Sequence, residues 1–147
     1  MLKWSNLNGL TFPDLNYKRV KEPILRVISA PSFLKLQYAN TLIVFTRNQI
    51  FRFVLSGSPE EWQAKTEILN EQYAQYGLLA PKSLVKAGDK LYWLSEMGII
   101  MWDEAGFHLI SHNRIDIEIS ENVIGFFCPL RHQVIFSTQS TQTIMTG

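Results

Sequence analysis

The feature that most constrains this chain is a pair of apolar runs, separated by a short polar gap, that occurs three times along the sequence. The three pairs cover residues 41–54, 90–102 and 133–145. Runs of β-branched and aromatic residues on either side of a short polar gap are typical of β-hairpins. The sequence therefore predicts an all-β protein built from repeated antiparallel hairpins.

The spacing of the hairpins indicates how they are arranged. If Thr46, Ser95 and Ser137 are equivalent residues, the unit recurs after 49 and then after 42 residues. Repeats of about forty to fifty residues are typical of β-propeller blades, each of which is a four-stranded sheet. A complete ring needs about four to eight blades, so we expect a partial β-propeller of about three blade-like units. Further strand candidates flank the hairpins at residues 24–28, 33–36, 65–69, 83–86, 107–110, 114–117 and 123–127.

The first residues of the chain differ from the rest because they show no clear apolar period. Trp4, Phe12 and Tyr17 lie among them. We predict an N-terminal arm or extended segment over residues 1–21 and β-propeller-like blades over residues 22–147.

The stretch between the first and second hairpins gives two conflicting signals. A capping box that starts at Ser58, with Pro59 at the first helical position, predicts a helical turn over residues 59–62. Residues 65–69 alternate in the manner of a strand, which we therefore expect to follow the turn. The alternative is a single helix over residues 59–75.

The second hairpin is apolar on both of its faces. Strand alternation assigns three large apolar side chains to each face, namely Leu91, Trp93 and Ile99 to one and Tyr92, Leu94 and Ile100 to the other. A strand that is apolar on both faces is covered on both faces. We therefore expect this sheet to lie between two neighbouring sheets, as a propeller blade does.

Residues 77–111 combine several short motifs in a fixed order. These motifs are Gly77, Ala80-Pro81, Gly88-Asp89, an aromatic strand, Gly98-Ile99 and Trp102-Asp103. The order resembles a propeller blade of virion and tail structural proteins of tailed bacteriophages, and a looser similarity extends over residues 24–136. The resemblance implies a structural or assembly protein of a phage-like virion or tail, made in the host cytoplasm and acting through protein–protein contacts. It brings no catalytic residues.

Composition and charge argue against several classes of partner. Fourteen basic and thirteen acidic residues leave a formal net charge of +1 without a basic cluster, so we expect no binding to nucleic acid. No apolar stretch is long enough to cross a bilayer and no secretory signal is recognised, so we expect no membrane insertion and, outside a virion, a cytoplasmic location. Cys128 is the single cysteine, so an intrachain disulfide is excluded.

No residue pattern predicts catalysis or metal binding. His108 and His112 are four residues apart, but a predicted strand and turn would hold the two imidazoles apart. Cys128 has no neighbouring base and is expected to be a buried, inert thiol. Asp116 and Glu118 are expected to form the polar face of a strand. We therefore expect a protein that is not an enzyme, holds no cofactor or metal and binds no small-molecule substrate.

The expected partners are other protein subunits or further copies of the chain. Aromatic residues outside the repeated strands are the candidates for interface anchors, and these are Trp4, Phe12, Tyr17 and Trp62. Trp93 and Trp102 are instead predicted to pack inside the blades. Two other functions fit the same architecture: a cellular propeller-type protein-interaction domain and a glycan-binding β domain.

Overall fold

The computed structural model describes residues 2–3, 17–18, 22–31, 33, 40–55, 66–111, 119–138 and 143–146. Within these ranges the protein is all-β, and paired strands are antiparallel. Two short 3₁₀ helices, Ala74–Tyr76 and Pro81–Ser83, lie between the sixth and seventh strands. The strands are β1 (Leu2–Lys3), β2 (Tyr17–Lys18), β3 (Arg26–Ser29), β4 (Thr41–Phe45), β5 (Ile50–Val54), β6 (Thr66–Ile68), β7 (Val85–Ala87), β8 (Lys90–Ser95), β9 (Gly98–Asp103), β10 (Gly106–Leu109), β11 (Ile124–Cys128), β12 (Gln133–Ser137) and β13 (Thr143–Thr146).

The strands after β2 form three sheets in which neighbours in sequence are neighbours in space. The first sheet has the order β3-β4-β5-β6, the second β7-β8-β9-β10 and the third β11-β12-β13, while β1 and β2 form a separate two-stranded ribbon. The three predicted hairpins are confirmed as β4–β5, β8–β9 and β12–β13. Among the described strands, no closed barrel or ring of sheets is found.

Most of the flanking strand candidates are confirmed, as β3, β6, β7, β10 and β11. The alternative of one helix over residues 59–75 is wrong, because Thr66–Ile68 is a strand that pairs with β5. The strand expected from Ser83 begins at Val85, because Pro81–Ser83 folds as a 3₁₀ helix. The helical turn at residues 59–62, the strand at 114–117 and all of the strand at 33–36 except Phe33 lie outside the described residues. In the predicted N-terminal arm, the structure describes only β1 and β2.

The second sheet lies between the other two, as its two apolar faces require. Trp93 is fully buried, and its ring meets the ring of Phe45 in the first sheet edge-on, with centroids 5.3 Å apart. On the opposite face, Leu94 and Ile99 share a second core with Phe136 of the third sheet. The first core contains Ile43, Phe45, Ile50, Leu78, Leu84, Leu91, Trp93, Ile100 and Trp102. The predicted burial of Trp93 and Trp102 inside the stack is confirmed.

The pairing register corrects the sequence-based assignment of Ile99 and Ile100. Residues directly opposite each other in an antiparallel pair point to the same face. Because Leu94 pairs with Ile99 and Trp93 pairs with Ile100, Ile100 faces the first sheet and Ile99 faces the third, the reverse of the prediction. The short turn at residues 96–97 sets this register, and strand alternation alone does not reveal it.

In the third sheet, the residue equivalent to Thr46 and Ser95 lies one position later than the sequence alignment predicted. Phe136 is buried against the second sheet, just as Trp93 is buried against the first. Because Ser95 follows Trp93 by two residues, its equivalent in the third sheet is Thr138 and not Ser137. The equivalent residues at or just after the end of the repeated strand are therefore Thr46, Ser95 and Thr138, at intervals of 49 and 43 residues.

The connection between the first two sheets is hydrogen-bonded to both of them. The backbone N–H of Leu78 donates to the carbonyl of Thr46 in the first sheet, and the next N–H, of Leu79, donates to Leu94 in the second, each at 3.0 Å. Gly77 precedes this segment and lies directly against the turn at Arg47. A Cβ atom on Gly77 would lie 2.0 Å from the Arg47 carbonyl oxygen, so a side chain at this position does not fit.

A polar side chain satisfies the first buried N–H of the third strand in each of the first two sheets. Asn70 Oδ1 accepts a hydrogen bond from the N–H of Ile50 at 2.7 Å. Ser111 Oγ accepts the equivalent bond from Ile99 at 2.9 Å. Both residues come two positions after the end of the fourth strand and are at most 5 % exposed. They are repeat positions that sequence reasoning missed, because an asparagine and a serine share no obvious motif.

Candidate interaction surface

The interface anchors predicted from the sequence stay predictions. Trp4, Phe12 and Trp62 lie outside the described residues. Tyr17 is in β2, where it pairs with Lys3. The surface that the structure does describe is elsewhere, on the third sheet.

The third sheet has one face turned away from the second sheet, which we call the outer face. Its described side chains on β11 and β12 are Ile124, Phe126, Cys128, Gln133, Ile135 and Ser137. Ile124 is 46 % exposed and Phe126 is 48 % exposed, and both lie on β11, an edge strand of this sheet. None of the six residues is an acid, a lysine, an arginine or a histidine. The described part of the outer face therefore carries no charge, and three of its six side chains, Ile124, Phe126 and Ile135, are large and apolar.

The orientation of β11 follows from its inward-facing residues, which alternate along the strand with those of the outer face. Phe127 packs against the core shared with the second sheet, and Gly125 lies directly on that sheet. A Cβ atom on Gly125 would lie 2.6 Å from the carbonyl oxygen of Ser83, so only glycine allows β11 to approach this closely. With Gly125 and Phe127 fixed inward, Ile124 and Phe126 must point outward.

The outer face is the third member of a repeated interface. Ile28, Val85 and Phe126 are equivalent residues, because they pair with equivalent partners in the second strand of each sheet, namely Ile43, Tyr92 and Ile135. Ile28 packs into the core between the first and second sheets, and Val85 packs into the core between the second and third. Phe126 has the same position but remains about half exposed.

The opposite end of the stack is closed at its centre. Val44, Phe51 and Phe53 lie on the face of the first sheet that points away from the second sheet. Their exposed fractions are 0 %, 5 % and 1 %, although Val27 and Ile68 at the edges of this face are about 40 % exposed. The two ends of the stack differ at their centres, because Gln133, Ile135 and Ser137 in the middle strand of the third sheet are only partly buried on the outer face.

A cleft of about 360 Å³ lies between the first strands of the first and second sheets. Arg26 and Lys86 provide its cationic groups, and Ile28, Leu84 and Leu91 provide apolar wall. Arg26 already donates a hydrogen bond to the carbonyl of Pro81 at 3.2 Å. The described lining has no aromatic ring and no carboxylate, which are the groups that a glycan site uses for stacking and hydrogen bonding.

Charged groups near the turns of the first two sheets are paired with one another. Glu22 accepts hydrogen bonds from the backbone N–H of Asn48, from its side-chain amide and from Thr46 Oγ1, at 2.8 to 3.0 Å. Partial burial raises the pKa of Glu22, but the hydrogen bonds from Asn48 and Thr46 outweigh it, so the pKa lies below its ordinary value of 4.5. Arg47 forms an ion pair with Glu96 at 2.9 Å, which links the equivalent turns of two sheets. These groups join the sheets and leave no unpaired acid or base for catalysis in this cluster.

The residues that the sequence analysis considered for catalysis or metal binding are only partly described by the structure. His108 Nε2 lies 3.0 Å from Asp103 Oδ1 across the β9–β10 turn, whereas His112, Asp116 and Glu118 lie outside the described residues. Burial raises the pKa of Asp103, but His108 and the N–H of Ala105 lower it by more, so the net shift is downward. Cys128 is half-buried and not buried as predicted, because it lies on the outer face. In the described ranges, no three histidine, cysteine or acidic residues are grouped as metal ligands.

The sequence matches no protein-family model, and it matches no curated protein. Among the described residues, no helix is long and apolar enough to cross a membrane.

Proposed function

We propose that this protein is a structural assembly module that acts through protein–protein contacts and not through catalysis. Its three sheets are the blades of a propeller-like stack. The observation that carries the proposal is Phe126 on the outer face, which is about half exposed although the equivalent residues Ile28 and Val85 pack into a core.

The exposed apolar side chains of the outer face favour association with a partner. Burial of apolar surface contributes about 25 cal/mol of favourable free energy for each Å² removed from water. A contiguous exposed apolar patch on a sheet therefore promotes association. The first and second sheets gain this energy by packing against the next sheet in the chain. The third sheet offers an equivalent surface to a partner, and its lack of charge means that a partner does not need to desolvate ions.

The proposal of a phage-like virion or tail protein is more specific, and its support is the resemblance of residues 77–111 to a blade of such proteins. A cellular propeller-type interaction domain would use the same surface, so the two proposals differ in their partners. Genes for capsid, portal or tail proteins beside this gene would favour the virion role, and their absence from a cellular locus would favour the cellular one. The cleft gives no support to the glycan-binding alternative, because its described lining has no aromatic ring and no carboxylate.

Light scattering on a size-exclusion column tests the proposal at its simplest. The chain has a mass of 17.0 kDa, and we expect a larger species that grows with protein concentration. A single 17.0 kDa species at every protein concentration would contradict self-assembly.

A further inference from the structure

We propose that the partner of the outer face is the outer face of a second copy of this chain, in a two-fold symmetric dimer. This inference rests on the proposed function and names the partner and the surface. The starting observation is that equivalent faces in the first two sheets are covered by the face of another sheet from the same repeat. A sheet of this kind is therefore the occupant that the chain itself shows to fit.

The available surfaces of a second copy decide which sheet this is. Head-to-tail stacking would place the first sheet of one copy on the outer face of another, as the second sheet is placed on the first. The centre of that end of the stack is already closed, because Val44 and Phe53 are at most 1 % exposed. Among the described residues, the less covered end face of a second copy is its own outer face, whose middle strand is only partly buried and whose edge strand β11 exposes Ile124 and Phe126. Two identical faces in contact form an isologous interface, which is related by a two-fold axis.

The charge of the protein allows this contact. The formal net charge is +1, so two copies repel each other only weakly. The outer face carries no acid, lysine, arginine or histidine that would meet its own like charge across a two-fold axis. Sheets that pack face to face lie about 10 Å apart, which is close enough for Ile124 and Phe126 of one copy to interdigitate with those of the other.

The exposed area also sets the expected strength. A standard stable interface buries about 800 Å² on each partner, and Ile124 and Phe126 supply only part of this because each is already half covered. We therefore expect a weak dimer with a dissociation constant on the order of 100 µM. Detection requires protein concentrations on both sides of this value.

Three variants and one chemical probe test the inference on the full chain. Phe126→Asp places a charge at the most exposed described residue of the outer face and is expected to raise the dissociation constant more than tenfold. Ile124→Asn is a milder change at a second position and guards against misfolding of the first variant, which circular dichroism checks. The matched control is Leu130→Asp, because Leu130 is also apolar and is 95 % exposed but lies in the β11–β12 turn, outside the paired strands. We expect the control to dimerise as the unmodified protein does.

Cys128 provides a readout that does not depend on substitution. It is the single cysteine and lies on the outer face, so its reaction with a maleimide should slow as the protein concentration rises through the dissociation constant. In Phe126→Asp the rate should not depend on protein concentration.

The possible outcomes separate this inference from the proposed function. A doubled mass that is lost in Phe126→Asp and kept in Leu130→Asp, with slower labelling of Cys128, supports the dimer. A larger species that survives Phe126→Asp and leaves Cys128 fully reactive overturns the proposed contact and keeps the assembly role. A monomer at every concentration, with a constant labelling rate, overturns both the dimer and self-assembly.

Discussion

Replacing Gly77 with alanine should separate the first sheet from the connection that joins it to the second. The new Cβ would lie 2.0 Å from the carbonyl oxygen of Arg47, whereas Cβ atoms essentially never approach within 3.0 Å of such an atom. The chain must therefore shift by about an ångström at this point. Because the N–H of the next residue, Leu78, donates to Thr46 at 3.0 Å, a shift of this size also breaks that hydrogen bond.

The expected cost combines two effects. Overpacking of a closely packed site costs about 1–3 kcal/mol. A buried hydrogen bond that loses its partner costs about 1–3 kcal/mol more. The free energy of unfolding should therefore fall by about 2–6 kcal/mol, a large part of the roughly 5–15 kcal/mol typical of a domain.

Urea unfolding followed by tryptophan fluorescence measures this loss, because Trp93 and Trp102 lie in the core beside the disturbed connection. At constant slope, the midpoint should move by roughly 1–3 M urea. The control is Gly106→Ala, where φ is +119° but no atom lies within 4 Å of the added Cβ. Backbone strain alone should cost this variant about 1–2 kcal/mol. If Gly77→Ala is no less stable than Gly106→Ala, the close contact with the first sheet is refuted.

Three further substitutions test other contacts. Ser111→Ala leaves the buried N–H of Ile99 without an acceptor and should cost about 1–3 kcal/mol in urea unfolding, whereas Ser120→Ala, in an exposed turn, should cost less than about 0.5 kcal/mol. Trp93→Phe removes the indole N–H that donates to a backbone carbonyl at 2.8 Å, and should cost at least about 1 kcal/mol and weaken the near-ultraviolet circular dichroism; an unchanged unfolding midpoint would contradict this. The pKa of Glu22 in the folded chain is below 4.5, so its carboxylate stabilises the fold above that pH and this contribution is lost as the pH falls through the lowered pKa. The stability gap between the unmodified protein and Glu22→Gln should therefore be larger at pH 7 than at pH 3, and an equal gap at both pH values would argue against the role of this carboxylate.

Strand positions could be predicted from this sequence, whereas the contacts between strands and sheets could not. Alternation and turn residues identified the hairpins, and they identified Trp93 as a residue buried inside the stack. Register depends on the length and shape of each turn, which explains the reversed faces of Ile99 and Ile100. The one-residue shift from Ser137 to Thr138 follows from the burial of Phe136 against the second sheet, which strand alternation does not predict.

Close approaches and side-chain exposure depend on tertiary structure, and no local pattern of residues predicts them. Gly77 is conspicuous in the sequence as a glycine, but its contact with the turn at Arg47 involves residues thirty positions away. Phe126 looks like any other apolar strand residue, as Val85 does. One is covered and the other is half exposed only because a neighbouring sheet is present in one case and not in the other.

The neighbour-to-neighbour order of the sheets has a consequence for how the protein loses structure. Every described strand after β2 pairs with the strand next to it in sequence, and each core joins only adjacent sheets. Such an arrangement behaves as a row of units coupled to their nearest neighbours, in which local opening is cheapest where the coupling is smallest. The second sheet is held on two faces and the third on one. Backbone amide hydrogens of β11 and β12 should therefore exchange with solvent by local opening. Those of β8 and β9 should exchange only when the whole stack unfolds.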